Sequence, residues 1–201
     1  DCDFIISKNL ISGMIKTFDQ RDNVIAVSPK VYYYKNNKTK IIWWKGVNFN
    51  KNYFRFQRTG IGANRKELDN GQFSGVSESE GICGCCVMIK KRGFIEKGLL
   101  DNDFFFGPED IEHAFRLRKI GLLLVNLDYH AYHKVSQSIF ISGVKKRIYF
   151  ETIGWLTLIN KVCNYKDRII GYIYFLIRGI SHFIRYLVSE NKDAHLGFVL
   201  G

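Results

Sequence analysis

The stretch Pro108-Glu-Asp-Ile-Glu-His-Ala-Phe-Arg-Leu-Arg-Lys-Ile-Gly121, followed at once by Leu122-Leu-Leu-Val-Asn-Leu127, decides the fold. Proline favours the first turn of a helix and glycine its end, so the spacing predicts a helix from Pro108 to Ile120. Ile111, Ala114, Phe115 and Leu117 recur on one side of it, and Glu112 and Arg116 stand at i,i+4. Leu122 to Leu127 is apolar without alternation, as expected for a strand covered on both faces. A helix running directly into a buried strand means α/β.

Working outward, Ile82 to Lys90 reads as a second buried strand and Arg92 to Lys97 as a short helix. Nearer the start, a helix is predicted from Lys8 to Phe18, with Leu10, Ile11, Met14, Ile15 and Phe18 on one stripe. A strand from Val24 to Tyr34 follows, broken at Pro29 and closed by the turn-rich Lys35-Asn-Asn-Lys-Thr39, then strands at Ile41 to Trp44 and Tyr53 to Gln57. The glycine-rich, polar stretch 60–81 reads as a long mobile loop. Beyond residue 138 the pattern turns helical and basic. Between Arg168 and Ser189 the longest uncharged stretch, Ile169 to Ile177, has nine residues, against the roughly 20 a membrane span needs. An amphipathic helix is expected there, packed on the domain, on a partner or on a membrane surface. The chain therefore divides into 1–138 and a basic helical extension, 139–201.

Composition supports one globular core. Of 201 residues 46% are hydrophobic and 15% aromatic with only two prolines, which excludes a disordered linker. The net charge of +11 favours polyanionic partners. A nucleic-acid-binding module is disfavoured, because most aromatics lie in core-like apolar runs and no nucleic-acid motif appears. Cys83, Cys85 and Cys86 sit in the apolar run Cys83-Gly-Cys-Cys-Val-Met-Ile89, where cysteine acts as a small buried hydrophobe rather than a metal ligand. The first residue is Asp rather than Met, so the sequence is expected to be a fragment.

Three places carry candidate chemistry. Asp1-Cys-Asp3 offers two carboxylates at i and i+2 that can hold a hard divalent cation, although paired acids also occur by chance. Glu109 and Asp110 lie in the first turn of the predicted helix. Plain helix electrostatics accounts for them, and a general base within reach of an attacking hydroxyl is the sharper reading. His133 follows an apolar strand, where a structural histidine and a ligand are both open.

Several motifs stand in order along the chain: Ser28-Pro-Lys-Val-Tyr-Tyr33, Ile42-Trp-Trp-Lys-Gly46, Gly84-Cys-Cys-Val-Met-Ile-Lys-Lys-Arg92, Asp101 through Arg116, and Tyr132-His-Lys-Val-Ser-Gln-Ser138. Together, over roughly residues 1 to 160, they resemble the C-terminal half of the nucleotide-sugar-binding GT-A fold of family 2 glycosyltransferases, especially the rhamnosyltransferase-like branch. The resemblance implies an incomplete GT-A fold, α/β with a mixed sheet, followed by C-terminal helices. It implies an inverting transferase moving a sugar from a nucleotide-diphospho-sugar donor to an acceptor hydroxyl on a glycan or lipid-linked acceptor, in cell-surface polysaccharide synthesis. The expected setting is cytoplasmic, at the inner face of the membrane, with peripheral membrane contact and no nucleic acid.

Residue by residue, the resemblance makes Asp1 and Asp3 the Asp-x-Asp motif, with Asp3 and His133 on a divalent cation, Mg²⁺ or Mn²⁺, and Asp1 nearer the nucleotide. Asp110 becomes the catalytic base and Glu109 its support at the acceptor, while Gly84, Cys85 and Arg116 join substrate binding. Gly107-Pro108 stands where relatives carry an aromatic residue, and Glu151, Thr152, Ile153 and Gly154 stand where many carry an Arg-Asn pair. The half that binds the nucleotide base would precede Asp1, so the chain alone is expected to bind donor poorly. The competing readings are a non-catalytic membrane-associated scaffold and a partner-completed fragment.

Overall fold

The computed structural model describes residues 3–48, 67–134, 143–188, 196 and 198–200. Six strands and five helices are found among them: β1 (Phe4–Ile6), α1 (Leu10–Phe18), β2 (Val24–Lys35), β3 (Asn37–Trp44), β4 (Val76–Glu78), β5 (Met88–Ile89), α2 (Lys91–Lys97), α3 (Glu109–Leu117), β6 (Leu122–His133), α4 (Val144–Val162) and α5 (Tyr165–Val188). The strands form one mixed open sheet in the order β1-β6-β2-β3. Its axis is the parallel pair β2 and β6. β4 and β1 lie antiparallel along the free edge of β6, at its two ends, and β5 and β3 do the same for β2.

The chain divides into two compact units. The first holds residues 1–49, 57–99 and 113–135, hence the sheet; the second holds 50–56, 100–112 and 136–201. The dividing line falls within α3.

In the first unit both faces of the central pair are covered, as the unbroken apolar run of β6 predicts. Leu10 and Met14 of α1 pack with Val24, Val27 and Leu124, while Ala114 and Leu117 of α3 pack with Ile25, Ala26 and Leu123. Leu123 and Leu124 thus face opposite ways, the alternation a strand imposes. The α1 stripe differs from expectation: Ile11 and Ile15 are exposed, and the inward face is Leu10, Gly13, Met14 and Thr17. Gly13 turns that face, because a Cβ there would lie 2.3 Å from Tyr129 Cζ. Thr17 Oγ1 donates to the Gly13 carbonyl and accepts from Asn126 Nδ2 at 2.7 Å, so a hydroxyl is tolerated fully buried.

Four expected boundaries move. β2 continues through Pro29, since the missing N–H falls where the ladder is interrupted: the register steps from Pro29 opposite Asn126 to Lys30 opposite His130, and β6 loops out by residues 127–129. β3 begins at Asn37, directly after a turn made by Asn36 alone at φ 57°. The strand expected from Ile82 to Lys90 is a turn at Cys83–Cys86, closed by the Cys86 N–H to the Cys83 carbonyl at 2.9 Å, followed by the two-residue β5. α3 begins after Pro108, whose carbonyl accepts the first helical bond from Glu112 N–H, and closes at Leu117 rather than Ile120. Gly121 serves closeness rather than helix termination, since a Cβ there would stand 2.5 Å from the Asn23 carbonyl oxygen.

The stretch 60–81 was expected to be a mobile loop, yet its described part is fixed: β4 joins the sheet and Asp69 is 4% exposed. The strand expected at Tyr53 to Gln57 lies outside the described residues.

In the second unit, Gly154 brings α4 against the loop before α3; a Cβ there would lie 2.9 Å from Pro108 Cδ and 3.2 Å from the Phe106 carbonyl oxygen. Lys161 of α4 holds that loop by ion pairs of 2.6 Å to both Asp101 and Asp103. The helical reading of the C-terminal part is therefore met by α4 and α5. Among the described residues no helix is long and apolar enough to cross a membrane.

Candidate functional site

Asp3 and His133 lie 130 positions apart in sequence and meet because β1 runs antiparallel to the end of β6. Phe4 stands opposite His133, and Lys134 N–H donates to the Asp3 carbonyl at 2.9 Å, which fixes Asp3 just ahead of the first residue of β1. The Asp3 carboxylate Oδ2 lies 3.3 Å from His133 Nε2, and both side chains are mostly enclosed. The edge of Trp43 closes over the imidazole with ring centroids 4.5 Å apart. Burial pushes the His133 pKa down and the Asp3 charge pulls it back up, with a net lowering, so the neutral ring is favoured. With Nε2 turned to the carboxylate, Nδ1 is buried without a hydrogen-bond partner.

A carboxylate oxygen and a neutral imidazole are donors that divalent cations accept. Asp1 lies outside the described residues. Among those described, no cluster of three or more such ligands is found.

Glu109 and Asp110 occupy the first turn of α3 in the second unit. Asp110 Oδ1 accepts the Ile111 N–H at 2.8 Å. Glu109 Oε2 is buried with no hydrogen-bond partner. Burial raises the Glu109 pKa and the neighbouring Asp110 charge adds to it, against the opposing pull of backbone N–H groups. Glu109 is thereby biased toward its protonated form.

The remaining expected residues are placed as follows. Gly84 and Cys85 lie on the Cys83–Cys86 turn; Gly84 is exposed, and Cys85 Sγ lies 3.3 Å from Cys83 Sγ. Burial and then the Cys85 neighbour push the Cys86 thiol up to about 12, so it is an inert hydrophobe at neutral pH. Arg116 is engaged at the C-terminus of α2, donating to the carbonyls of Lys97 and, at 2.9 Å, Leu99. It fills the role of a capping cation for carbonyls that a helix end leaves open.

One buried network went unread in the sequence. Lys30 Nζ lies 2.6 Å from Asp69 Oδ2, with side chains 8% and 3% exposed, and also donates to the Phe73 carbonyl. Tyr32 OH donates to the same carboxylate oxygen at 2.5 Å, and Gly71 N–H to Oδ1 at 2.8 Å. Burial would raise the Asp69 pKa, but the bonds from Lys30, Tyr32 and Gly71 outweigh it and hold the carboxyl below its usual range. Burial raises the Tyr32 pKa further than the Asp69 contact does. Beside them, His130 is pushed down by burial and by the Lys30 and Lys38 charges, and its Nε2 lies 3.1 Å from Tyr132 OH. A lysine inside an otherwise apolar strand and the turn Asp69-Asn-Gly71 were the available signals.

The chain is thus an α/β protein with a mixed open six-stranded sheet and C-terminal helices. No protein-family model matches the sequence, and no curated protein matches it.

Proposed function

We propose that this chain is the metal- and acceptor-side half of a GT-A glycosyltransferase that inverts the donor sugar. The observation that supports this most is the meeting of Asp3 and His133. The motif resemblance names those two residues as a joint cation site, and nothing local in the sequence requires them to touch. Asp3 and His133 would hold the divalent cation, with Asp1 from the same motif. When bound, such a cation supplies positive charge that stabilises a departing nucleoside diphosphate.

By the motif resemblance, Asp110 of the second unit would take the proton from the acceptor hydroxyl as that oxygen attacks the anomeric carbon; the bond from this carbon to the diphosphate oxygen breaks, and its electron pair leaves with the diphosphate. Glu109, beside it in the first turn of α3, would support the base at the acceptor. The Lys161 pairs with Asp101 and Asp103 keep the loop before α3 in place, so the base is carried on an anchored segment.

The test is sugar transfer from nucleotide-diphospho-sugars by a protein carrying this chain together with a nucleotide-binding half. Asp110→Asn is expected to lower kcat by about 10² to 10⁴, and Asp3→Asn or His133→Ala to raise the cation concentration needed for activity. Retained transfer in Asp110→Asn removes the base assignment. Transfer indifferent to a chelator removes the cation site.

A further inference from the structure

The second unit presents one long surface that the proposed chemistry does not use. α5 has 24 residues, and its side chains Ile173, Leu176, Ile177, Ile180, Ile184 and Leu187 are between 51% and 65% exposed. At roughly 100° per residue these six fall within about 100° of the helix circumference. The other side is already taken: Phe198 stacks on His182 at 4.2 Å and 13° and lies parallel to Phe175 at 6.0 Å, while Tyr172 OH and Arg168 bond Asn160 at the end of α4. The helix is therefore held by its back, with an aliphatic stripe facing outward from Ile173 to Leu187.

Charge says what the stripe meets. From Val144 to Val188 eight Lys or Arg stand against two acids, Glu151 and Asp167. Beyond the first turn of α5 the only formal charges are Arg178 and Arg185, which lie together on one flank of the helix, about 80–100° round from the nearest of these six side chains, and are exposed; Arg178 also lies over the Phe198 ring at 5.2 Å. Lys166 falls within the arc of the stripe itself, at its N-terminal end. Burying this face on a second copy of itself would enclose the Lys166 ammonium with no carboxylate on the stripe to pair with it, a costly arrangement. A lipid surface accepts the same pattern: isoleucine and leucine enter the acyl boundary, and lysine and arginine reach back to the phosphates.

We infer that α5 is an in-plane anchor by which this chain binds the surface of a bilayer containing anionic lipid. The inference stands on α5 alone and survives failure of the glycosyltransferase reading. It fits the absence, among the described helices, of one able to cross a bilayer.

The test is flotation of the 201-residue chain with vesicles of phosphatidylcholine alone or mixed with phosphatidylglycerol, at low and high salt, with light scattering for mass in the absence of lipid. Binding is expected on the mixed vesicles, weakened by salt. Arg178→Gln with Arg185→Gln is expected to weaken partitioning about fivefold per cation removed. Leu176→Ser and Ile177→Asp, both at exposed positions, are expected to abolish binding while circular dichroism and melting stay as in the parent chain. Four results overturn the proposal: no binding at low salt, equal binding to neutral vesicles, binding unchanged in both stripe variants, or a lipid-independent dimer that Ile177→Asp dissolves.

Discussion

Replacing Lys30 by Met tests how the sheet holds its strap, the segment from Glu67 to Val76. The ammonium makes two bonds in a nearly closed space, to Asp69 and to the Phe73 carbonyl, and its removal strands a carboxylate that is 4% exposed. Breaking one partner of a buried pair costs about 3–5 kcal/mol, because the other charge stays buried without its counter-ion. Here Tyr32 OH and Gly71 N–H still serve the carboxylate, which places Lys30→Met near the lower bound, about 3 kcal/mol, or roughly a hundredfold in the folding equilibrium. Urea unfolding followed by tryptophan fluorescence reads it. Asp69 titrates lower folded than unfolded, so its contribution is complete above the ordinary carboxylate range and is lost as pH falls through the depressed folded value. In Lys30→Met that acid-side loss becomes shallower. Lys30→Met with Asp69→Asn recovers much of the cost, since the amide keeps partners for Tyr32 and Gly71 without a charge. A single-variant cost below about 1 kcal/mol, or a double-mutant cycle with no coupling, refutes the view that this pair is a structural clamp.

Other outcomes follow from single contacts. Gly13→Ala drives a methyl into the Tyr129 ring and is expected to cost about 1–3 kcal/mol, most of it recovered by Tyr129→Leu; urea midpoints decide it. Arg116→Lys loses the two-pronged grip on the Lys97 and Leu99 carbonyls and is expected to destabilise by about 1–2 kcal/mol, read as faster hydrogen exchange at the end of α2. Glu109 titrates higher folded than unfolded, so it favours folding most at low pH and this advantage disappears as pH rises through the raised value. Glu109→Gln should therefore raise the melting temperature at neutral pH and flatten its slope between the ordinary glutamate range and neutrality. An unchanged profile would show that the side chain is solvated.

How far the sequence revealed this molecule depended on whether the signal was local. Ile111, Ala114 and Leu117 of α3 and the continuous apolar run of β6 were legible because each residue reports its own burial, whereas the burial of Glu112 and His113 beside a half-buried Phe115 does not follow from the 3.6-residue pattern. α1 was half legible: the pattern Leu10, Met14 survives, but the decision to leave Ile11 and Ile15 outside is made by Tyr129, more than a hundred residues away, lying over Gly13. Pro29 was misread for the same reason, since proline is excluded from a ladder only where a partner requires its N–H, and β6 withdraws that partner by looping out. Of the candidate residues, Asp3, His133 and Asp110 were named from motifs, while the Lys30–Asp69–Tyr32 network had only weak signals, because a lone lysine in a strand does not announce which distant carboxylate will reach it.

The irregularity in β6 links the two buried polar clusters of the first unit. Before it, β2 and β6 pair with Pro29 level with Asn126; after it, Lys30 is level with His130 and Tyr33 with His133. The inserted segment has an odd number of residues, and a strand turns over with each residue, so three extra positions reverse which side chains of β6 share a face with those of β2. With this register Tyr132 lies beside Tyr32 at 5.8 Å and joins His130 in the Lys30–Asp69 network. His133, one step further, points to the opposite face, where Asp3 and Trp43 await it. An even insertion would put the imidazole into the network around Asp69 and a phenol beside Asp3, which is a poorer donor to a cation. The bulge is held by bonds that depend on its shape: Leu127 N–H to the Gly75 carbonyl and Gly75 N–H to Asp128 Oδ1, both 2.8 Å. The same strap that Lys30 clamps through Asp69 therefore also sets the register that brings His133 to Asp3.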